Sequence, residues 1–294
     1  MIKSISQFTL FFVSINIILS GCGTRRASHD KTIISVNIMP EKYFIDRLTG
    51  SSLEVNVMLP PGANHATYSP TPQQFKKLSD SRLYIEIGHL GFEQAWSHRL
   101  KELNPSIKVL NLSEKTALIH GTSTQHGAHS HEGGIDPHIW MSPKVMAALI
   151  YEIKNAIAES FPEMREAVEA NYPQLLSEIK DKDRKMCVLA ASLSRKEFLI
   201  FHPALTYIER DYGFTQIPVE FEGKEPSTAR LVSTIELALS HNISVIFVQE
   251  EYDIRNAELI AKETDATPVR INPMAYDWMK SIDDVITAFQ NHLQ

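Results

Sequence analysis

The sequence predicts an α/β fold of two lobes, each a four-stranded, mostly parallel sheet flanked by helices, with one long connecting helix between them. Three observations predict it. Short apolar runs alternate with amphipathic segments from Ile33 to the C-terminus. The alternation falls into two sets of four strand-helix units, and a parallel pair of strands needs such a crossover to return the chain. Between the sets lies a charged, helix-favouring stretch, roughly Glu163 to Lys185, too long to sit inside a closed ring of strands. Two lobes are therefore expected, and a single barrel is not.

Taken in order, the first set opens with a strand at Ile33–Met39 and a helix from Pro40 that stops at Gly50. Leu53–Leu59 is the second strand, broken by Pro60-Pro61-Gly62, after which a loop carries His65. Thr71 reads as an N-cap, with Pro72 at the first helical position and Gln74 completing a capping box. Leu83–Ile87 is the third strand, Phe92–Leu103 the next helix and Ile107–Leu112 the fourth strand. Ser142-Pro143 starts a helix whose stripe is Val145, Leu149, Ile153 and Ile157. Phe161-Pro162 ends it. The connector follows, with Pro173 as an expected kink. The second set has strands at Phe198–Phe201, Gln216–Val219, Ile243–Val248 and Pro268–Ile271. Its helices are Ala204–Tyr212, Thr228–His241, Ile254–Glu263 and Ile282–Leu293, the last with Ser281 as N-cap and Asp284 in its first turn. The predicted divisions are 1–22 for a leader, 23–32 for a tether, 33–160 for the first lobe, 161–186 for the connector and 187–294 for the second lobe. One stiff helix between the lobes implies little motion of one against the other.

The 294 residues are 43% hydrophobic and 22% charged, ordinary values for a globular chain. A net charge of −6 argues against a nucleic-acid partner, which demands a basic face. The N-terminus reads as targeting. Lys3 is its positive end, Phe8 to Leu19 is apolar but short for a membrane span, and Leu19-Ser20-Gly21-Cys22 resembles a bacterial lipobox, with lipidation expected at Cys22. Acyl chains there would anchor the protein to a membrane. Cys187, in Met186-Cys187-Val188-Leu189, reads as buried core.

Histidine usage points to metal. His120, His126, His129 and His131 fall in a Gly/Ser/Thr tract at 120–133, read as an exposed loop that gathers metal weakly. His138 follows in Asp136-Pro137-His138-Ile139-Trp140. On the predicted map His65, His138, His202 and Asp277 all lie beyond the carboxyl ends of strands, where open α/β sheets place ligands. Two come from each lobe, so a bound ion would bridge the lobes. Three imidazoles and a carboxylate match the tetrahedral preference of Zn²⁺, with manganese as the second candidate. His89, between Gly88 and Gly91, competes with His65. Asn272, Glu220, Glu222, Glu250 or water could stand in for Asp277. Asp136 and Glu220 are the acceptors expected to orient the imidazoles.

Several spaced segments resemble the zinc/manganese solute-binding lipoproteins of bacterial ABC importers. They are the lipobox, Pro61-Gly62-Ala63-Asn64-His65 with Tyr68-Ser69-Pro70, Asp136 to Trp140, Phe201-His202-Pro203-Ala204, and Glu222 to Ser227. The His-rich tract before Asp136, and His rather than Glu at position 202, resemble the zinc branch. The resemblance implies two lobes joined by a long helix, and a buried metal ligated by His65, His138 and His202. It implies a monomeric extracytoplasmic receptor on a lipid anchor, delivering Zn²⁺ to an ABC permease and its ATPase. The chain departs from the pattern at Asn64, where Pro is usual, and in the shortened Asn272 to Asp277 segment, which leaves the fourth ligand open. A zinc hydrolase is the competing class. The sequence has no His-Glu-x-x-His helix and no nucleophile motif to support one. An adhesin is the third, disfavoured by the absence of repeats.

Overall fold

A computed structural model describes residues 32–63, 68–120, 134–220 and 226–293. In the first lobe β1 (Ile33–Val36), β2 (Glu54–Val57), β3 (Leu83–Glu86) and β4 (Lys108–Asn111) form an all-parallel sheet in the order β2-β1-β3-β4. In the second, β5 (Glu197–Ile200), β6 (Thr215–Pro218), β7 (Val245–Gln249) and β8 (Thr267–Ile271) repeat that order as β6-β5-β7-β8. The chain reverses its direction of travel across each sheet between the two central strands. The crevice outside their carboxyl ends is the natural ligand position of such sheets.

Local chemistry places the helices. α1 (Met39–Thr49) ends at Gly50, which takes the left-handed conformation with φ 62°. α2 (Pro72–Asp80) starts with the expected box: the Gln74 N–H donates to Thr71 Oγ1 at 3.3 Å, and the Thr71 N–H to Gln74 Oε1 at 2.8 Å. α3 is Gly91–Leu103. α4 (Pro143–Ser160) is capped by Ser142 and buries Val145, Leu149, Ile153 and Ile157, the predicted stripe.

The connector differs in extent from its expected span. A single turn of tighter helix covers Pro162–Met164, and α5 then runs from Arg165 to Ser192, continuous through Pro173. Its buried face continues through Met186, Leu189 and Ala190, so the first residues assigned to the second lobe belong to the connector. Cys187 is exposed, not core. Helical phase explains this: Met186 and Leu189 share the inward face, and the residue after Met186 is turned about 100° away.

In the second lobe α6 (Thr206–Tyr212), α7 (Thr228–His241), α8 (Arg255–Glu263) and α9 (Trp278–His292) complete the fold. α9 starts four residues before its predicted first residue. Its cap is Asp277, whose carboxylate accepts the Lys280 N–H at 3.0 Å. Ser281 is not a cap; inside the helix, its hydroxyl donates to the Asn272 carbonyl at 2.8 Å. Trp278 extends the stripe inward by one turn.

The lobes are joined by more than α5. Trp140 Nε1 donates to the Pro273 carbonyl at 2.9 Å, and Trp278 Nε1 donates to the Trp140 carbonyl at 2.7 Å. Ser142 Oγ reaches Asp211 Oδ2 at 2.5 Å, and the Tyr276 hydroxyl reaches Asp46 Oδ2 at 2.8 Å. One buried apolar cluster includes Phe44, Trp140, Leu175 and Trp278, taken from both lobes and the connector.

Beneath the first lobe's crevice lies a buried acidic network. Glu93 Oε2 accepts the N–H groups of Gly88 at 2.9 Å and Leu90 at 2.7 Å, and Oε1 meets the Asn37 amide. Burial raises the Glu93 carboxyl to about 8, against the lowering effect of these backbone donors. Its folded pKa therefore lies above that of the unfolded chain, so between these values the native state holds a proton that the unfolded state has lost. Stability should fall as pH rises from about 5 to about 8. Glu93→Gln should flatten that slope; Asn37 would turn its amide toward the new donor, and the Tyr84 hydroxyl, which now donates to Asn37 Oδ1 at 2.5 Å, would accept from Nδ2 instead. Urea unfolding at several pH values measures it.

Candidate metal centre

His138 sits where the chain turns into α4, just ahead of the short helical turn Ile139–Met141. Pro137 restricts Asp136 to extended backbone. The Asp136 carboxylate then receives the His138 N–H at 2.8 Å and lies 3.0 Å from His138 Nδ1. His202 lies two residues past the end of β5, and its Nδ1 lies 2.6 Å from Glu220 Oε1. Both imidazoles are thus held by carboxylates, as expected from the sequence. An ionised carboxylate only accepts, so Nδ1 carries the proton in each ring and Nε2 is the lone-pair atom. Burial pushes the Asp136 carboxyl up. The His138 imidazole and the hydrogen bonds from that residue outweigh burial and hold it below its ordinary value.

The two rings meet. Their centroids are 5.2 Å apart at 67°, and both residues are almost fully buried. Two imidazoles bound through nitrogen to one tetrahedral zinc, at about 2.0–2.1 Å, would have centroids roughly 5.2 Å apart. One ring comes from each lobe. Trp140 packs 5.2 Å from His138, and Tyr252 stacks on His202 at 5.6 Å and 19°.

The root of the His-rich tract is fixed beside this pair. His120 and Ile135 form an antiparallel bridge, and the Asp136 N–H donates to the Ile119 carbonyl at 3.0 Å. The Tyr207 hydroxyl ties both arms to the second lobe, donating to the Asp136 carbonyl at 2.9 Å and accepting the Ile119 N–H at 3.3 Å. His120 itself is exposed. His126, His129 and His131 lie outside the described residues, as do His65, Glu222 and Cys22.

His89 is held in a tight turn. Gly88 has φ 107°, and a Cβ there would lie 2.4 Å from both Asn111 Oδ1 and Ser113 Oγ. Burial, and then the charge of His120, lower the His89 pKa. Asp277 is exposed on the α1 side of the molecule, where it caps α9 and its charge acts on Tyr43 and Tyr276. A second carboxylate, absent from the predicted set, lies near His202. Glu251 is raised by burial, and the nearby His202 opposes that rise. Its signal was position alone, since it follows β7 at the same sheet edge as His202. Among the described residues no group of three or more His, Cys, Asp or Glu side chains is arranged to hold a metal.

Over residues 34–291 the chain matches the family ZnuA, zinc-uptake complex component A, periplasmic. The chain belongs to this family. The ZnuA relatives agree with the two-lobed fold. A high-affinity zinc uptake system protein ZnuA of Bacillus subtilis is 24% identical over 86% of this chain and 81% of its own length. The zinc-binding lipoprotein AdcA of Streptococcus pneumoniae is 23% identical over 87% of this chain, which spans only 52% of AdcA. A crystal structure of a ZnuA deletion mutant with zinc bound superposes with a TM-score of 0.79 at 31% identity, covering 89% of this chain and 98% of that one.

Proposed function

We propose that His138 and His202, with His65, hold one Zn²⁺ between the lobes, and that the protein presents this ion to its importer. As a member of the zinc-uptake family, the chain is the zinc-binding receptor of an ABC importer, and its partners in the complex are a permease and an ATPase. Zinc is cargo here. The observation that carries the residue assignment is the His138–His202 pair: two buried rings, each fixed by a carboxylate at Nδ1, with the 5.2 Å separation expected of ligands on one ion. Asp277 is engaged as a helix cap, so the proposal leaves the fourth position to another carboxylate or to water. The protein acts outside the cytoplasm, attached through a lipidated Cys22, as a monomeric receptor and not an enzyme.

Chelator-competition titration of zinc into the wild type, His138→Ala and His202→Ala tests the assignment. Loss of the tight site in both variants supports it, and wild-type affinity in both removes it. The His-rich tract is proposed as an auxiliary collector through His120, His126, His129 and His131. Deleting Gly121 to Gly133 should lower the number of zinc ions bound, or slow loading, while the tight site persists. Because His120 and Ile135 form a bridge at the root of the tract, the deletion carries a short Gly-Ser turn in place of the removed residues, so that the pairing next to Asp136 can persist. Loss of the tight site in that deletion would move the primary site into the tract.

A further inference from the structure

We infer that Gln249 is a positioning residue for the metal site, acting through the backbone of His202. The inference rests on the reading that His202 is a ligand. β5 ends at Ile200, and the last ladder bond to β7 runs from the Phe201 N–H to the Phe247 carbonyl at 2.7 Å. The next peptide, His202, lies beyond the ladder, and Pro203 after it has no N–H to offer. A buried peptide past a strand end needs partners of its own, and the His202 carbonyl has one in the Ala204 N–H at 2.8 Å. Gln249, the last residue of β7, takes the place of the missing strand. Its side-chain Oε1 accepts the His202 N–H at 3.2 Å, and its Nε2 donates to the His202 carbonyl. The residue is fully buried. Its own carbonyl accepts the Tyr252 N–H at 3.1 Å, in the turn that stacks the Tyr252 ring on the His202 imidazole.

The division of labour is specific. Glu220 fixes the rotation of the His202 ring through Nδ1, whereas Gln249 fixes where its Cα stands. Neither alone places Nε2. A side chain that merely filled space here would need no amide: leucine or methionine suits a fully buried site. Only an amide of this length supplies an acceptor and a donor to the same residue, as a neighbouring strand would.

Gln249→Met keeps the volume and removes both bonds. The test is zinc competition titration of the full chain as wild type, Gln249→Met, His202→Ala and the double variant, with the visible spectrum of the Co²⁺-loaded protein as a second readout. Gln249→Met should weaken zinc binding by roughly 10–100-fold, the range for outer groups that orient ligands. It should shift the Co²⁺ bands and weaken residual binding no further in the His202→Ala background. Wild-type affinity in Gln249→Met overturns the inference. So does an equal loss in both backgrounds, or a wild-type Co²⁺ spectrum, because a general structural role predicts these. Should His202→Ala bind zinc as tightly as wild type, the ligand assignment fails instead, and the two failures are told apart within one experiment.

Discussion

Replacing His138 or His202 by alanine is expected to abolish tight zinc binding while leaving two folded lobes. A four-ligand zinc site contributes about 10–16 kcal/mol in favourable small systems, so one imidazole in four is worth roughly 2.5–4 kcal/mol. That is about two to three orders of magnitude in Kd. The two variants should differ in stability. Without the His138 imidazole, Asp136 still accepts the main-chain N–H of residue 138, a bond observed at 2.8 Å. Without the His202 imidazole, Glu220 loses the partner of Oε1, and its Oε2 has no hydrogen-bond partner among the described residues. Glu220 is almost completely buried. A buried carboxyl stripped of its partner is destabilising, so His202→Ala should unfold at lower temperature than His138→Ala. Calorimetry with zinc and thermal unfolding of the metal-free forms measure both effects. Equal stability of the two variants would mean that Glu220 finds another partner.

Trp278→Ala is expected to destabilise the fold by about 3–5 kcal/mol, the usual range for removing a large buried aromatic side chain. Trp278 is fully buried and packs against Phe44 of the first lobe, with ring centroids 5.1 Å apart. Its Nε1 is also the donor to the Trp140 carbonyl. The substitution therefore opens a cavity where α1 and α9 meet and removes a hydrogen bond from the segment that carries His138. Trp278→Phe restores most of the volume but not the donor. It should recover most of the stability and leave a smaller deficit, near the 1 kcal/mol typical of one hydrogen bond. Urea unfolding gives the stability order, and zinc affinity measured on both variants shows whether the Trp140 tie matters to the site. A cost of less than about 1 kcal/mol for Trp278→Ala would mean that the seam between the lobes collapses around the gap.

Much of the fold was legible because its determinants are local and periodic. The Thr71–Gln74 box, the Gly50 stop and the Val145–Ile157 stripe each follow from a few neighbouring residues, and each is present. The pairing of His138 with Asp136 lies within one tripeptide and could be read in the same way. That of His202 with Glu220 spans two strands, but both residues fall just past strand ends, where position alone suggests a meeting. What escaped depends on phase and on three-dimensional neighbours. Cys187 and Met186 are adjacent in an apolar run, yet only Met186 faces inward, because α5 continues through both and buries a single face. Asp277 resembled a ligand because carboxylates at strand ends often are; its use as a cap depends on α9 starting at Trp278. Gln249 gave no signal, since nothing in a run of strand residues distinguishes an amide facing solvent from one replacing a missing ladder bond.

The shared apolar cluster limits how this protein can be rearranged. Phe44, Leu175 and Trp278 are far apart along the chain yet pack as one interior, beside a second cluster, including Leu199, Ile246 and Ile260, that lies within the second lobe alone. Chimaeras that join the front half of one relative to the back half of another would have to match shapes along that seam as well as the ligands. Exchanging short surface segments needs no such match.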